Sequence, residues 1–112
     1  MDLSEKRCVP CEGGVPTLGP DRIGELLREV PGWQLSEDRG TLSKEFRFPH
    51  FAGTMVFVNQ MAALAEEEGH HPDFCVHYNR LAIQLTTHAI RGLSENDFIM
   101  AAKLDNLPSS TK

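Results

Sequence analysis

The sequence predicts an α+β fold of two layers: a four-stranded antiparallel sheet with helices on one face. Three observations predict it. Stretches with apolar residues at helical spacing alternate with stretches that repeat every second residue. The strand-like stretches come in pairs joined by short turn sequences, which means hairpins and antiparallel pairing. The order reads helix, strand, strand, helix, strand, strand, helix, a segregated arrangement rather than an alternation of single strands and helices. A chain of 112 residues suits one domain and can bury a core without disulfide or metal support. We expect an irregular arm over 1–19, the folded domain over 20–107 and a frayed tail over 108–112.

The elements follow in order. Cys8 to Pro20 carries three prolines and three glycines, so neither a long helix nor a central strand fits there. Pro20 and Asp21 start a helix whose apolar positions are Ile23, Leu26, Leu27 and Val30, and Pro31-Gly32 stops it. A hairpin begins at Trp33, where Trp33, Leu35 and Glu37 alternate with Gln34 and Ser36. It turns over Glu37–Gly40 and returns with Leu42, Lys44, Phe46 and Phe48 on one face. Lys44 interrupts that apolar row. Phe51 to Glu68 is helical, with Phe51, Met55, Val58, Ala62 and Ala65 expected as the inward stripe, Met61 and Leu64 beside it and Gly69 as the stop.

A second hairpin spans Phe74 to His88. Phe74, Val76 and Tyr78 share one face, as do Leu81, Ile83 and Leu85, with a tight connection at Asn79-Arg80. The last helix has Ser94 as N-cap and Asp97 at its third position, a capping box with Asp in place of the usual Glu. Phe98, Ala101, Ala102 and Leu104 point inward.

Composition bounds the function. Eleven basic against sixteen acidic residues give a net charge of -5, which argues against a nucleic-acid surface. No apolar run approaches the ~20 residues of a membrane helix, and the opening residues lack a signal-peptide pattern. Three cysteines without an export signal suit a reducing cytoplasmic setting. Cys8-Val-Pro-Cys11 has the spacing of half a zinc site, but the other half is missing. We expect no metal.

The informative residues are histidines. His70 and His71 leave the C-terminal end of the long helix, one turn beyond Glu66, and His88 ends the last strand. The negative end of the helix and Glu66 both favour a protonated imidazole there. If helix end and strand end meet, two or three imidazoles share one opening, and one can donate a proton while another accepts one. Three readings stay open on the residues alone: a proton-transfer site, a metal site, or structural placement. His77 and His50 read as a strand residue and a helix-start residue without a role in chemistry, and Glu66-Glu67-Glu68 as mostly a solvated helix end.

Glu66, His70-His71-Pro72, Tyr78 five spacers on, His88 after nine more and Asp97 after a further eight form a multi-part pattern. It resembles the signature of the pterin-4a-carbinolamine dehydratase family. The resemblance extends through "PGWQL" and "KEFRF", covering about Trp33 to Leu107, and the opening "RCVPCEGGVPTL" looks like the arm of bacterial-type members. It implies dehydration of 4a-hydroxytetrahydropterin to quinonoid dihydropterin in tetrahydropterin recycling, with no cofactor, since the pterin is the substrate. It also implies a homodimer or homotetramer and functional coupling to phenylalanine hydroxylase. By resemblance, His70 and His88 are the acid/base pair and His71 chiefly holds the pterin. Glu66 supports the histidines, Pro72 and Asp97 complete the pattern, and Thr86 and Thr87 offer backbone groups to the pterin ring. Trp33 matches a tryptophan near the pocket. Gly69 departs from the Asp that animal members carry before the paired histidines, which bears on the surrounding electrostatics. Alternatives within the resemblance are a binding or regulatory role, as in animal members that bind a homeodomain transcription factor, and a dehydratase-like role in molybdenum-cofactor metabolism.

Overall fold

The computed structural model describes residues 3–8, 17–87, 90 and 92–108. After a short 3-10 turn at Leu3–Glu5 come helix α1 (Pro20–Leu27), strands β1 (Gln34–Leu35) and β2 (Leu42–Arg47), and helix α2 (Phe51–Glu68). Strands β3 (Asp73–His77) and β4 (Arg80–Leu85) and helix α3 (Glu95–Asp105) complete the order. The four strands form one antiparallel sheet in the order β1-β2-β4-β3, which leaves β1 and β3 at the edges. The α+β architecture expected from the sequence is the one observed.

Alternation decides which sheet face is covered. Leu42, Phe46, Leu81, Ile83 and Leu85 are buried, and Glu45, Arg47 and Gln84 on the other face stay exposed. Phe57 of α2 lies on the buried face, with ring centroids 4.8 Å from Phe46 and 5.4 Å from Phe48. Lys44, which interrupts the apolar row, is accommodated in two ways. Its ammonium pairs with Asp105 at 2.7 Å and lies 4.6 Å from the centre of the Phe46 ring.

Helix α2 has the expected bounds but a different inward face. Its buried positions are Thr54, Phe57, Met61, Ala65 and Glu68; Phe51 and Ala62 are exposed, and Val58 and Leu64 only pack against the core's edge. The helix is apolar on both sides, so periodicity alone did not fix its rotation, and the large Phe57 takes the sheet-facing position. His50 is its N-cap, with Nδ1 accepting the Gly53 N–H at 3.3 Å.

Two smaller corrections concern turns. Helix α1 ends at Leu27, three residues before Val30, although Val30 remains buried through turns that follow. The second hairpin turns at Tyr78-Asn79, and Arg80 is already paired with His77. Tyr78 therefore leaves the row of Phe74 and Val76; it has φ 54 and stacks on Phe51 at 6.4 Å.

Candidate active site

Gly69 caps helix α2 just after Glu68, and its φ of 68 is the left-handed conformation that glycine adopts without penalty. Its N–H closes on the Ala65 carbonyl at 2.9 Å, and the chain leaves the helix with His70 turned inward. His70 is 6% exposed and Asp97 fully buried. The first turn of α3 supplies Asp97 at the third position after Ser94, as the capping-box reading expected.

One carboxylate then serves three neighbours. Asp97 Oδ1 lies 2.6 Å from His70 Nε2. Asp97 Oδ2 accepts the Thr87 hydroxyl at 2.7 Å and the Ser94 backbone N–H at 3.0 Å, and the Thr87 and Ser94 hydroxyls are 2.8 Å apart. A carboxylate only accepts, so His70 Nε2 carries the hydrogen of that contact. The His70 ring is thereby fixed in orientation, with Nδ1 left for other chemistry.

The adjacent histidine has the opposite setting. His71 Nε2 is 2.7 Å from Glu66 Oε2, but the two side chains are 60% and 79% exposed. His71, Glu66 and Pro72 line a groove of about 160 Å³ whose remaining wall is Met61, Ala62, Ala65 and Phe74. The groove offers an apolar face with the His71 and Glu66 side chains at its edge.

The remaining candidates divide. Thr86 Oγ1 donates to the Gly40 carbonyl at 2.6 Å and ties β4 to the first hairpin loop. Thr87 does not present free backbone groups: its N–H donates to Gly92 and its carbonyl accepts from Ile90 and Gly92. Its contribution is the hydroxyl on Asp97. Trp33 is buried against Phe46 and donates Nε1–H to Asp105 at 3.1 Å. Asp105 is eight residues along α3 from Asp97, about 12 Å by helical rise, so Trp33 sits at the other end of that helix from His70. His88 lies outside the described residues, as does Cys11. His77 is an exposed strand residue.

The sequence reading paired Ser94 with Asp97 but missed the Thr87 hydroxyl as a further partner of that carboxylate, and it missed Glu68. Glu68 is buried and accepts the Cys8 backbone N–H at 2.8 Å, with Lys103 Nζ 3.6 Å away. A signal for it existed: Phe57, Met61, Ala65 and Glu68 step along one helical stripe. Burial, reinforced by the Glu68 carboxylate, pushes the Cys8 thiol up to about 12, so this cysteine stays protonated. No group of three metal-ligating side chains occurs among the described residues. No described helix is long and apolar enough to cross a membrane.

Comparisons with known proteins agree with this architecture. A family model described as pterin 4 alpha carbinolamine dehydratase matches residues 16–107. A Stenotrophomonas maltophilia protein provisionally named pterin-4-alpha-carbinolamine dehydratase is 50% identical over 107 residues, covering 96% of this chain and 92% of its own. One from Nitrosomonas eutropha, with the same provisional name, is 50% identical over 107 residues, covering 95% and 93%. Among solved structures, a transcriptional coactivator/pterin dehydratase from Brucella melitensis matches with a TM-score of 0.77 and 34% identity, over 80% of this chain and 96% of that one. A pterin dehydratase-like protein identified as a RuBisCO assembly factor in the alpha-carboxysome matches with a TM-score of 0.59 and 31% identity, over 66% and 86%.

Proposed function

Because the chain belongs to the pterin 4 alpha carbinolamine dehydratase family, we propose that it dehydrates 4a-hydroxytetrahydropterin to quinonoid dihydropterin by histidine acid/base catalysis. The observation that carries this reading is the buried Asp97 carboxylate 2.6 Å from His70 Nε2; the next residue in the chain, His71, lines a groove with Glu66 and Pro72. The reaction needs two proton movements. The 4a-hydroxyl is a poor leaving group until it takes a proton and departs as water. The ring loses an N–H proton as its new double bond forms. His70 and His88 form the acid/base pair, one giving and one taking.

Asp97 holds the His70 ring so that Nδ1 faces the reaction. Thr87 and Ser94 hold Asp97. His71 and Glu66, exposed at the groove, bind the heterocycle, and Pro72, Ala62 and Phe74 offer it an apolar surface. Thr86 keeps the end of β4 in place. Trp33 supports the far end of α3 rather than touching the ring. The setting of this activity is tetrahydropterin recycling in the cytoplasm, coupled to a hydroxylase such as phenylalanine hydroxylase, in a homodimer or homotetramer. The chemistry uses side chains of this chain alone and assigns no cofactor.

The similarity to a RuBisCO assembly factor favours a second reading, in which the fold serves as a binding module. One experiment separates them: loss of 4a-hydroxytetrahydropterin generated in the cuvette, followed with wild type and His88→Ala. The dehydratase reading expects rapid loss with wild type and a fall of about 100- to 10,000-fold in the variant. Pure, folded wild type that gives no acceleration overturns it in favour of the binding module.

A further inference from the structure

Glu68 is a buried carboxylate outside the candidate catalytic set. It ends α2, two residues before His70, and its side chain is only 2% exposed. Burying a charge is unfavourable unless partners compensate, so its partners identify its job. Oε1 accepts the Cys8 N–H at 2.8 Å, and Oε2 faces Lys103 Nζ at 3.6 Å. Lys103 in turn donates to the Ser4 carbonyl at 3.0 Å. Both partners thus lead to the N-terminal segment Leu3–Cys8.

That segment is fastened at the other side as well. Leu3 is buried in the core. Lys6 pairs with Glu95 at 2.6 Å, and the Cys8 thiol lies 3.7 Å from the Asn96 carbonyl. Glu95 and Asn96 are the two residues before Asp97. The segment therefore grips one element two residues before His70 and the other immediately before Asp97. It straps together the two pieces of chain that must stay in register for the 2.6 Å contact between His70 and Asp97.

We infer that Glu68 is a positioning residue: through the strap it sets the His70–Asp97 contact and hence the orientation of the His70 ring. This rests on the dehydratase reading for its kinetic consequence, but the geometric claim stands on its own. A strap that merely adds stability would leave the folded protein's His70 unchanged when loosened. A positioning strap would not, because small misplacements of a catalytic group cost far more in rate than in stability.

The test uses the full chain as wild type, Glu68→Gln and Glu68→Ala, each measured well below its melting temperature. Two readouts are taken: the side-chain NMR signal of the His70 Nε2–H proton, and kcat and KM for 4a-hydroxytetrahydropterin. The glutamine keeps an acceptor for the Cys8 N–H. It should retain a protected Nε2–H signal and a kcat within about threefold of wild type. The alanine should lose that protection and drop kcat by about 10- to 100-fold, with KM within about twofold. A folded Glu68→Ala protein with the wild-type signal and wild-type kcat overturns the inference. If Glu68→Ala does not fold, Lys103→Met loosens the same strap from its other end. It carries the same expectation and the same overturning result. Wild type without dehydratase activity refutes the dehydratase reading alone, and the NMR comparison then decides the role of Glu68 by itself.

Discussion

His70 and His71 are neighbours in sequence, and each has a carboxylate at nearly the same distance, 2.6 Å for Asp97 and 2.7 Å for Glu66. Their surroundings make them different. The His70 side chain is 7% exposed and its partner 0%, whereas the second pair is 60% and 79% exposed. In the first pair the carboxylate is itself held by Thr87 and Ser94, so direction and register are fixed. In the second, water competes for every hydrogen bond and both side chains can move. Contact length says little about role; what surrounds the contact decides it. A buried, anchored imidazole suits proton transfer along one direction, and an exposed one suits meeting and releasing a ligand.

That contrast can be broken from either side. The largest effect is expected at Asp97. Asp97→Ala leaves the His70 Nε2–H and the Ser94 backbone N–H without their acceptor in a buried site and the Thr87 hydroxyl with Ser94 Oγ alone, and should cost about 3–5 kcal/mol in urea unfolding. Thr87→Val removes one of the three donors and should cost about 1–2 kcal/mol by the same measurement. If Asp97→Ala is as stable as wild type, the buried pair has no special standing.

A third prediction extends the contrast to two of the three cysteines, Cys8 half-buried and Cys75 exposed. The Cys8 thiol is raised from 9.0 to about 12 by burial first and by Glu68 second, so folding favours its protonated form. Its contribution to stability is complete below pH 9 and is lost as pH rises from there towards 12. The midpoint of urea unfolding should therefore fall more steeply above pH 9 in wild type than in Cys8→Ala. At about pH 8 iodoacetamide should modify Cys75 readily and Cys8 hardly at all, as fragment-ion mass spectrometry that resolves Cys8 from Cys11 will show. The smallest effect is expected at the exposed pair, where Glu66→Ala should change stability by under about 0.5 kcal/mol. A larger loss would mean that Glu66 is anchored in a way its exposure does not suggest.

Much of this was legible in the sequence, for definite reasons. Hairpin spacing, the alternation of Leu81, Ile83 and Leu85, and the Ser94–Asp97 capping box are local signals, and the structure carries all three. The bounds of α2 were legible because Pro49 and Gly69 punctuate it, but its rotation was not, since Phe57 and Met61 compete with Met55 and Val58 for the inward stripe. Tertiary pairing was hidden for the same reason. Nothing local shows that the Thr87 hydroxyl reaches Asp97 ten residues later, or that Glu68, read as a solvated helix end, meets Cys8 sixty residues earlier. Trp33, carried by resemblance towards the pocket, is held by Asp105 instead.

The most direct test of the central claim compares His70→Ala with His71→Ala under one assay of 4a-hydroxytetrahydropterin dehydration, with kcat and KM determined separately. The account predicts that His70→Ala loses kcat by about 100- to 10,000-fold. It predicts that His71→Ala chiefly raises KM and keeps kcat within about tenfold. The reverse pattern, with the exposed histidine governing kcat and the buried one dispensable, would contradict it.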